Sequence, residues 1–215
     1  MVTHYVHRGL AKKDFKENTL SAFKYSFKKN YGIETDLHST RDNQIICFHD
    51  FNLKRRFNLN KNVKDIDYPR LKKISRKNKA PIPLLKHLLK ICKNKYPILL
   101  EIKPILNKIN LLNLIKLTKN TKKYGIISFK EKNLTNLHKI NKKLPLGMLF
   151  LSTDSFKNIK IKSRKKYVKF LVLEKKFLKN KKLRQIKKKV YYYTIKDRNL
   201  FNKYKNTKNL IFENL

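Results

Sequence analysis

The chain has no tryptophan, four glycines, six prolines, two cysteines and only 14 acidic side chains among 215 residues. Cys47 and Cys92 form neither a CxxC pair nor a disulfide framework, so they read as core residues of a protein kept in a reducing compartment. No apolar run approaches the ~18 residues of a membrane span, and stretches such as Tyr96 to Leu100 are strand-sized, so an integral membrane protein is not expected. The N-terminus, Met-Val-Thr-His-Tyr-Val-His-Arg-Gly, lacks the charged start, apolar stretch and small-residue cleavage site of a secretory signal. The expected location is the cytoplasm. No internal repeat and no proline- or glycine-rich linker interrupts the chain, and its length suits a single domain over residues 1–215.

Against the few acids stand 55 lysines and arginines, a net charge of +41. Such a surface collects phosphate backbones non-specifically. The lysines are nevertheless spread through nearly every segment among asparagine and isoleucine, as codon bias toward AT-rich DNA produces. No RNP, zinc-finger or helix-turn-helix pattern accompanies them, so no dedicated nucleic-acid site is expected. A weak attraction to anionic membrane surfaces is. A positive field also raises the local concentration of an anionic substrate, which favours one bearing phosphate. With 40% hydrophobic residues spread along the chain there is enough apolar surface for a core, and wholesale disorder is excluded.

The hydrophobic pattern alternates between short β-like runs and longer amphipathic stretches. Strands are predicted at Tyr5 to Arg8, Gly32 to Leu37, Gln44 to His49, Pro97 to Lys103, Tyr124 to Phe129, Leu146 to Phe150, Tyr167 to Leu173, Val190 to Ile195 and Asn209 to Phe212. Helices are predicted at Glu17 to Asn30, Ile82 to Cys92 and Leu111 to Thr121, with lysine-rich helical segments between the later strands. Alternation of this kind implies parallel βαβ units, and about eight strands fit a compact (β/α)8 TIM-type barrel with thin helices and no final C-terminal helix. Phe51 to Ala80 lacks clear periodicity and reads as a long loop, functional or floppy.

Five local patterns carry the chemistry: His7-Arg8-Gly9, Glu17-Asn18-Thr19, Glu34-x-Asp36-x-His38, His49-Asp50 and Glu101-x-Lys103. All fall near predicted strand ends, where barrels place their active sites. A period of two sends Glu34 and Asp36 to one face of a strand, and Glu101 and Lys103 to one face of another. Glu34, Asp36 and Glu101 make an oxygen-rich set suited to Ca²⁺ or Mg²⁺; the alternative is a set of ion pairs with nearby lysines. His7 and His49 have the residue type for a general acid and base near neutral pH. Arg8 and Lys103 can hold phosphate oxygens. Together these parts describe metal-assisted attack on a phosphodiester.

The order HRG, ENT, ExDxH, HDxxLxR and ExK resembles the glycerophosphodiester phosphodiesterase family, densely over residues 4 to 103. Here it reads His7-Arg8-Gly9, Glu17-Asn18-Thr19-Leu20-Ser21-Ala22-Phe23, Glu34-Thr35-Asp36-Leu37-His38, His49-Asp50-Phe51-Asn52-Leu53-Lys54-Arg55 and Glu101-Ile102-Lys103. The resemblance implies a (β/α)8 barrel that hydrolyses a small-molecule glycerophosphodiester to glycerol 3-phosphate and an alcohol, in lipid and glycerol metabolism. It implies His7 and His49 as the catalytic pair, Glu34, Asp36 and Glu101 as ligands of a divalent metal, and Arg8 and Lys103 as the phosphate-binding pair. Glu17 is a supporting residue, either orienting the first loop or starting the helix after it, and His38 supports the metal site or fills the core. The chain departs from the family's pattern in carrying Tyr193 where tryptophan is usual, Lys86 and His87 where acids are usual, and Glu213 near the usual terminal aspartate. Two further readings share some of these features: phospholipase D-like action on lysophospholipids or sphingolipids with a cyclic phosphate product, and a basic protein that binds nucleic acid or membrane surfaces.

Overall fold

A computed structural model of the protein describes residues 2–11 and 16–215. In chain order the strands are β1 (Tyr5–His7), β2 (Gly32–Ser39), β3 (Ile45–Cys47), β4 (Asn52–Leu53), β5 (Leu59–Asn62), β6 (Ile98–Ile102), β7 (Tyr124–Ser128), β8 (Leu146–Phe150), β9 (Phe170–Glu174), β10 (Lys189–Ile195) and β11 (Asn209–Phe212). The helices are α1 (Leu20–Lys28), α2 (Lys54–Phe57), α3 (Tyr68–Lys77), α4 (Leu85–Cys92), α5 (Lys108–Thr118), α6 (Glu131–Ile140), α7 (Phe156–Ser163) and α8 (Arg198–Tyr204). Eight strands, β1, β2 and β6 to β11, pair in parallel, and β1 bonds both β2 and β11, so the sheet closes into the expected (β/α)8 barrel. Closure leaves no free edge among these eight strands.

Alternation along the strands sorts their side chains into two cores. Tyr5, Leu99, Ile127, Leu149, Val172, Tyr191 and Ile211 pack inside the barrel. Their strand neighbours Val6, Leu100, Ile126, Met148, Leu171 and Leu210 point outward, into a cluster with Phe23, Leu88, Leu114 and Leu134 of the helices. Low in the barrel the Phe170 ring lies against Gly125 and Gly147, where an added Cβ would come within 2.7 and 2.3 Å of it. Two residues beyond the apolar layer, the same alternation delivers His7, Glu101, Phe129, Leu151, Glu174, Tyr193 and Glu213 to the C-terminal mouth. The polar groups gather there because the strands end there.

Several boundaries differ from the sequence expectation, each for a local reason. Helix α1 starts at Leu20 rather than Glu17, because Thr19 caps it by accepting the Ala22 N–H at 3.3 Å. Helix α4 starts at Leu85, since Leu84 is held in a bridge to Ile46. Asn107 caps α5, which starts at Lys108, three residues ahead of the predicted Leu111. Strand β3 runs antiparallel to β2 and lies outside the barrel, returning the chain toward the mouth. Phe51 to Ala80 is no floppy loop: it holds β4, β5, α2, a 3₁₀ turn and α3, which bury Leu53, Phe57, Val63, Ile66 and Leu71 against Ile46 and Phe48. Two 3₁₀ turns stand between β9 and β10 in place of an α-helix, and residues 213–215 after β11 are not helical. Both cysteines are buried and free. Among the described residues no helix is long and apolar enough to cross a membrane.

Candidate active site

The chain leaves β1 through a turn in which Arg8 and Gly9 have φ of 56° and 72°. A Cβ on Gly9 would meet the Phe23 ring at 2.9 Å, so glycine lets the turn press onto α1. Arg8 takes a left-handed backbone that costs a non-glycine residue free energy, a kind of strain that clusters at functional sites. Its side chain reaches across the mouth, with Nε 3.0 Å from Asp36 Oδ2 and Nη1 3.1 Å from Glu17 Oε2.

Glu34 and Asp36 extend from the same face of β2, and Glu101 lies beside Asp36 in the β2–β6 register. The three carboxylates are buried, and each offers an oxygen within 4.8 Å of the others. Burial and the charges of Asp36 and Glu101 push the Glu34 carboxyl well above the usual range. Glu101 is raised to about 7 by burial and by Asp36. Asp36 behaves otherwise: burial would raise it, but Arg8 and Lys103 together hold it below its ordinary value. Lys103 Nζ lies 2.8 Å from Glu101 Oε1 and 3.6 Å from Asp36 Oδ1. The Asn18 amide donates to Asp36 Oδ2 at 2.9 Å and accepts the Thr35 hydroxyl at 2.7 Å. Glu34 Oε1 and Asp36 Oδ1 are buried without a hydrogen bond. Orphaned oxygens in a cluster of three acids fit a hard divalent cation, which would supply the missing partner and quench the mutual repulsion.

Both histidines are anchored through Nδ1 by a carboxylate. His7 Nδ1 is 2.9 Å from Glu213 Oε2, and its Nε2 faces Glu34 at 3.9 Å. His49 Nδ1 is 2.7 Å from Asp50 Oδ1. Asp50 in turn receives Arg55 Nε at 2.6 Å, and Arg55 Nη2 donates to Glu17 Oε1 at 2.8 Å. An unbroken run of charge pairs therefore links His49 through Asp50, Arg55, Glu17 and Arg8 to Asp36. Burial pushes His38 down to about 4, so it stays neutral. Its Nε2–H donates to the His49 backbone carbonyl at 3.1 Å, which ties the returning β3 segment to β2.

A cavity of about 340 Å³ opens at the mouth. His7, Arg8, Glu34, His49, Glu101 and Lys103 form its polar side, and Ile127, Leu149, Val172 and Ile211 its apolar floor, with Phe129 and Tyr193 at the rim. The Tyr193 hydroxyl donates to the Phe150 carbonyl at 3.0 Å, which turns its ring edge-on to Phe129. All nine candidate residues from the sequence meet at this mouth. Six line the cavity, Asp36 is enclosed beneath them, and Glu17 and His38 each hold a lining residue in place. The sequence assigns no separate role to Asn18, Asp50, Arg55 or Glu213. Asp50 and Arg55 were visible inside the HDxxLxR pattern; Glu213 lies 206 positions from His7, where no local spacing could pair them.

The chain is similar to known proteins in sequence and in fold. The human lysophospholipase D is 41% identical over 66 residues, 30% of this chain and 21% of that protein. A glycerophosphodiester phosphodiesterase of Bacillus altitudinis is 30% identical over 110 residues, 47% of this chain and 44% of that protein. The chain thus matches less than half the length of these relatives. The crystal structure of a glycerophosphodiester phosphodiesterase from Thermotoga maritima shares the fold with a TM-score of 0.83 at 21% identity, over 100% of this chain and 95% of that one. An Oleispira antarctica phosphodiesterase in complex with the product sn-glycerol-3-phosphate also gives 0.83, at 19% identity, over 99% and 92% of the two chains. The sequence profile of one family matches residues 7–209, from the first mouth histidine to the start of the last barrel strand, and the chain belongs to that family, the glycerophosphoryl diester phosphodiesterases.

Proposed function

We propose that the protein hydrolyses glycerophosphodiesters to glycerol 3-phosphate and an alcohol. The observation that carries this reading is the pair of carboxylate-anchored histidines, His7 and His49, lining one cavity with Arg8, Lys103 and the Glu34–Asp36–Glu101 cluster. These three acids would hold a divalent cation, Mg²⁺ or Ca²⁺, which when bound supplies positive charge to the phosphodiester oxygens. Arg8, ion-paired with Asp36 and Glu17, lines the cavity and would hold a phosphate oxygen there. Lys103 holds a second oxygen as a point charge.

Because each imidazole Nδ1 faces a carboxylate, the proton belongs on that nitrogen and Nε2 is the working atom. One imidazole, carrying its proton on Nδ1 only, takes a proton at Nε2 from the attacking hydroxyl or water, and the other, protonated on both nitrogens, gives its Nε2 proton to the departing oxygen. The apolar floor keeps the local dielectric low, which strengthens both charge contacts to the phosphate. The product distinguishes the two nucleophiles. With glycerophosphocholine, ³¹P NMR is expected to show glycerol 3-phosphate accumulating; a persistent cyclic phosphate with no glycerol 3-phosphate would contradict hydrolysis and indicate attack by the substrate's own hydroxyl.

A further inference from the structure

Among the described residues eight large apolar side chains are exposed: Phe51, Ile105, Ile109, Leu112, Phe129, Ile140, Leu151 and Ile161. Four of them share one face of the molecule. Phe51 follows β3, Ile105 follows β6, Phe129 follows β7 and Leu151 follows β8, and the order β3-β2-β6-β7-β8 makes their loops near neighbours around the mouth. Ile109, on the first turns of α5, continues the arc from Ile105. A glycerophosphodiester is polar throughout and gives these side chains nothing to bury against.

After each of the four comes an exposed lysine, at or next to the start of the following helix: Lys54, Lys108, Lys130 and Lys157. None makes an ion pair among the described residues. Lys108, Lys130 and Lys157 sit at the N-terminal ends of α5, α6 and α7, where the helix dipole disfavours a cation. The nearby acids are engaged elsewhere: Asp154 accepts the Leu151 N–H and the Asn158 amide, and Glu131 is paired with Lys162 and Lys165. Apolar side chains interleaved with unpaired lysines around a catalytic mouth match the interfacial layer of an anionic bilayer, with headgroup charge for the lysines and the acyl boundary for the rest.

We propose that the barrel mouth is a docking surface for an anionic lipid bilayer, with Ile105, Ile109 and Leu151 as apolar anchors. This goes beyond the hydrolytic reading, because binding can be measured without turnover. The absence of tryptophan allows a clean probe. Single variants Leu151→Trp and Ile161→Trp, the latter on the flank of α7, are mixed with vesicles of phosphatidylglycerol and phosphatidylcholine, and emission is read. Docking through the mouth predicts a blue shift for Leu151→Trp and none for Ile161→Trp. Equal shifts at both positions would show that charge alone attracts the protein, and no shift at either would show that it does not dock; both overturn the proposal. A shift of Leu151→Trp with monomeric lysophospholipid but not with vesicles would assign the arc to a single acyl chain and overturn it as well. In co-sedimentation, the variant Ile105→Ser/Ile109→Ser/Leu151→Ser is expected to lose about tenfold or more in vesicle affinity, since three apolar anchors are removed. Ile140→Ser/Ile161→Ser should bind as the parent does; equal losses in the two variants would contradict the assignment of the face.

Discussion

His7 and His49 are set by partners that orient rather than react. In the proposed reaction Glu213 and Asp50 hold the two Nδ1 atoms, which leaves one Nε2 to accept a proton and the other to donate one. Removing either imidazole, as His7→Ala or His49→Ala, is expected to lower the rate of glycerol 3-phosphate release by ~10²–10⁴-fold from lost acid–base catalysis. Wild-type turnover in one of them would take that residue out of the mechanism. The carboxylate cluster makes a second prediction through protonation. Folding raises Glu101 from 4.5 to about 7 and raises Glu34 as well, so between these pH values the two acids bind more protons in the folded state than in the unfolded state. Their contribution to the stability of the metal-free protein therefore falls as pH rises through that window, whereas that of His38, held down to about 4 by burial, rises below 6.5. A divalent cation needs the ionised acids, so Mg²⁺ or Ca²⁺ should raise Tm more at a pH of about 7.5 than at about 5. A cation effect larger in acid would contradict this. The reactive types and the three acids were legible because period-two spacing groups them on strands. The roles of Asn18 and Glu213 were not: Asn18, at φ 54°, resembles a helix start in sequence, yet its amide is spent on Asp36 and Thr35.

The barrel strands were legible as elements because each is a short apolar run bounded by polar residues, and their parity then fixes what reaches the mouth. Boundaries were less so, since capping decides them: Thr19 and Asn107 each accept an N–H and thereby choose the first turn. The segment after His49 hid its structure for a different reason. Helix α3 buries only Leu71 and Ser75 fully while five of its ten residues are lysine or arginine, so the apolar stripe is too narrow to stand out. Its burial becomes visible only once β4, β5 and the 3₁₀ turn supply the facing side chains. Packing within the barrel gives a prediction at this scale. Gly147→Ala would place a Cβ 2.3 Å from the Phe170 ring, low in the barrel and away from the catalytic groups. Overpacking of this kind is expected to cost about 1–3 kcal/mol of stability. Chemical denaturation would measure it, and an unchanged midpoint would show that Phe170 can move aside.

Taken as one molecule, the protein is a strongly cationic barrel in which three of the 14 acids, Glu34, Asp36 and Glu101, are buried together. With 14 acidic residues against 55 basic ones, ion pairs could neutralise every carboxylate, yet Glu34 and Glu101 remain buried with raised pKa. Structural ion pairing alone does not explain that arrangement, whereas a cation site opposite two histidines does. The surrounding positive field draws anionic substrate toward the mouth and weakens as salt is added. The central claim, that this mouth is a cation-dependent phosphodiesterase site, is tested most directly by glycerol 3-phosphate release from mixed glycerophosphodiesters. Purified protein is assayed as prepared, with EDTA, and with Mg²⁺ or Ca²⁺ restored. The account predicts release that EDTA abolishes and one of the two cations recovers. Release that persists in EDTA would contradict the role given to Glu34, Asp36 and Glu101, and no release with any cation or headgroup would contradict the assignment of the reaction.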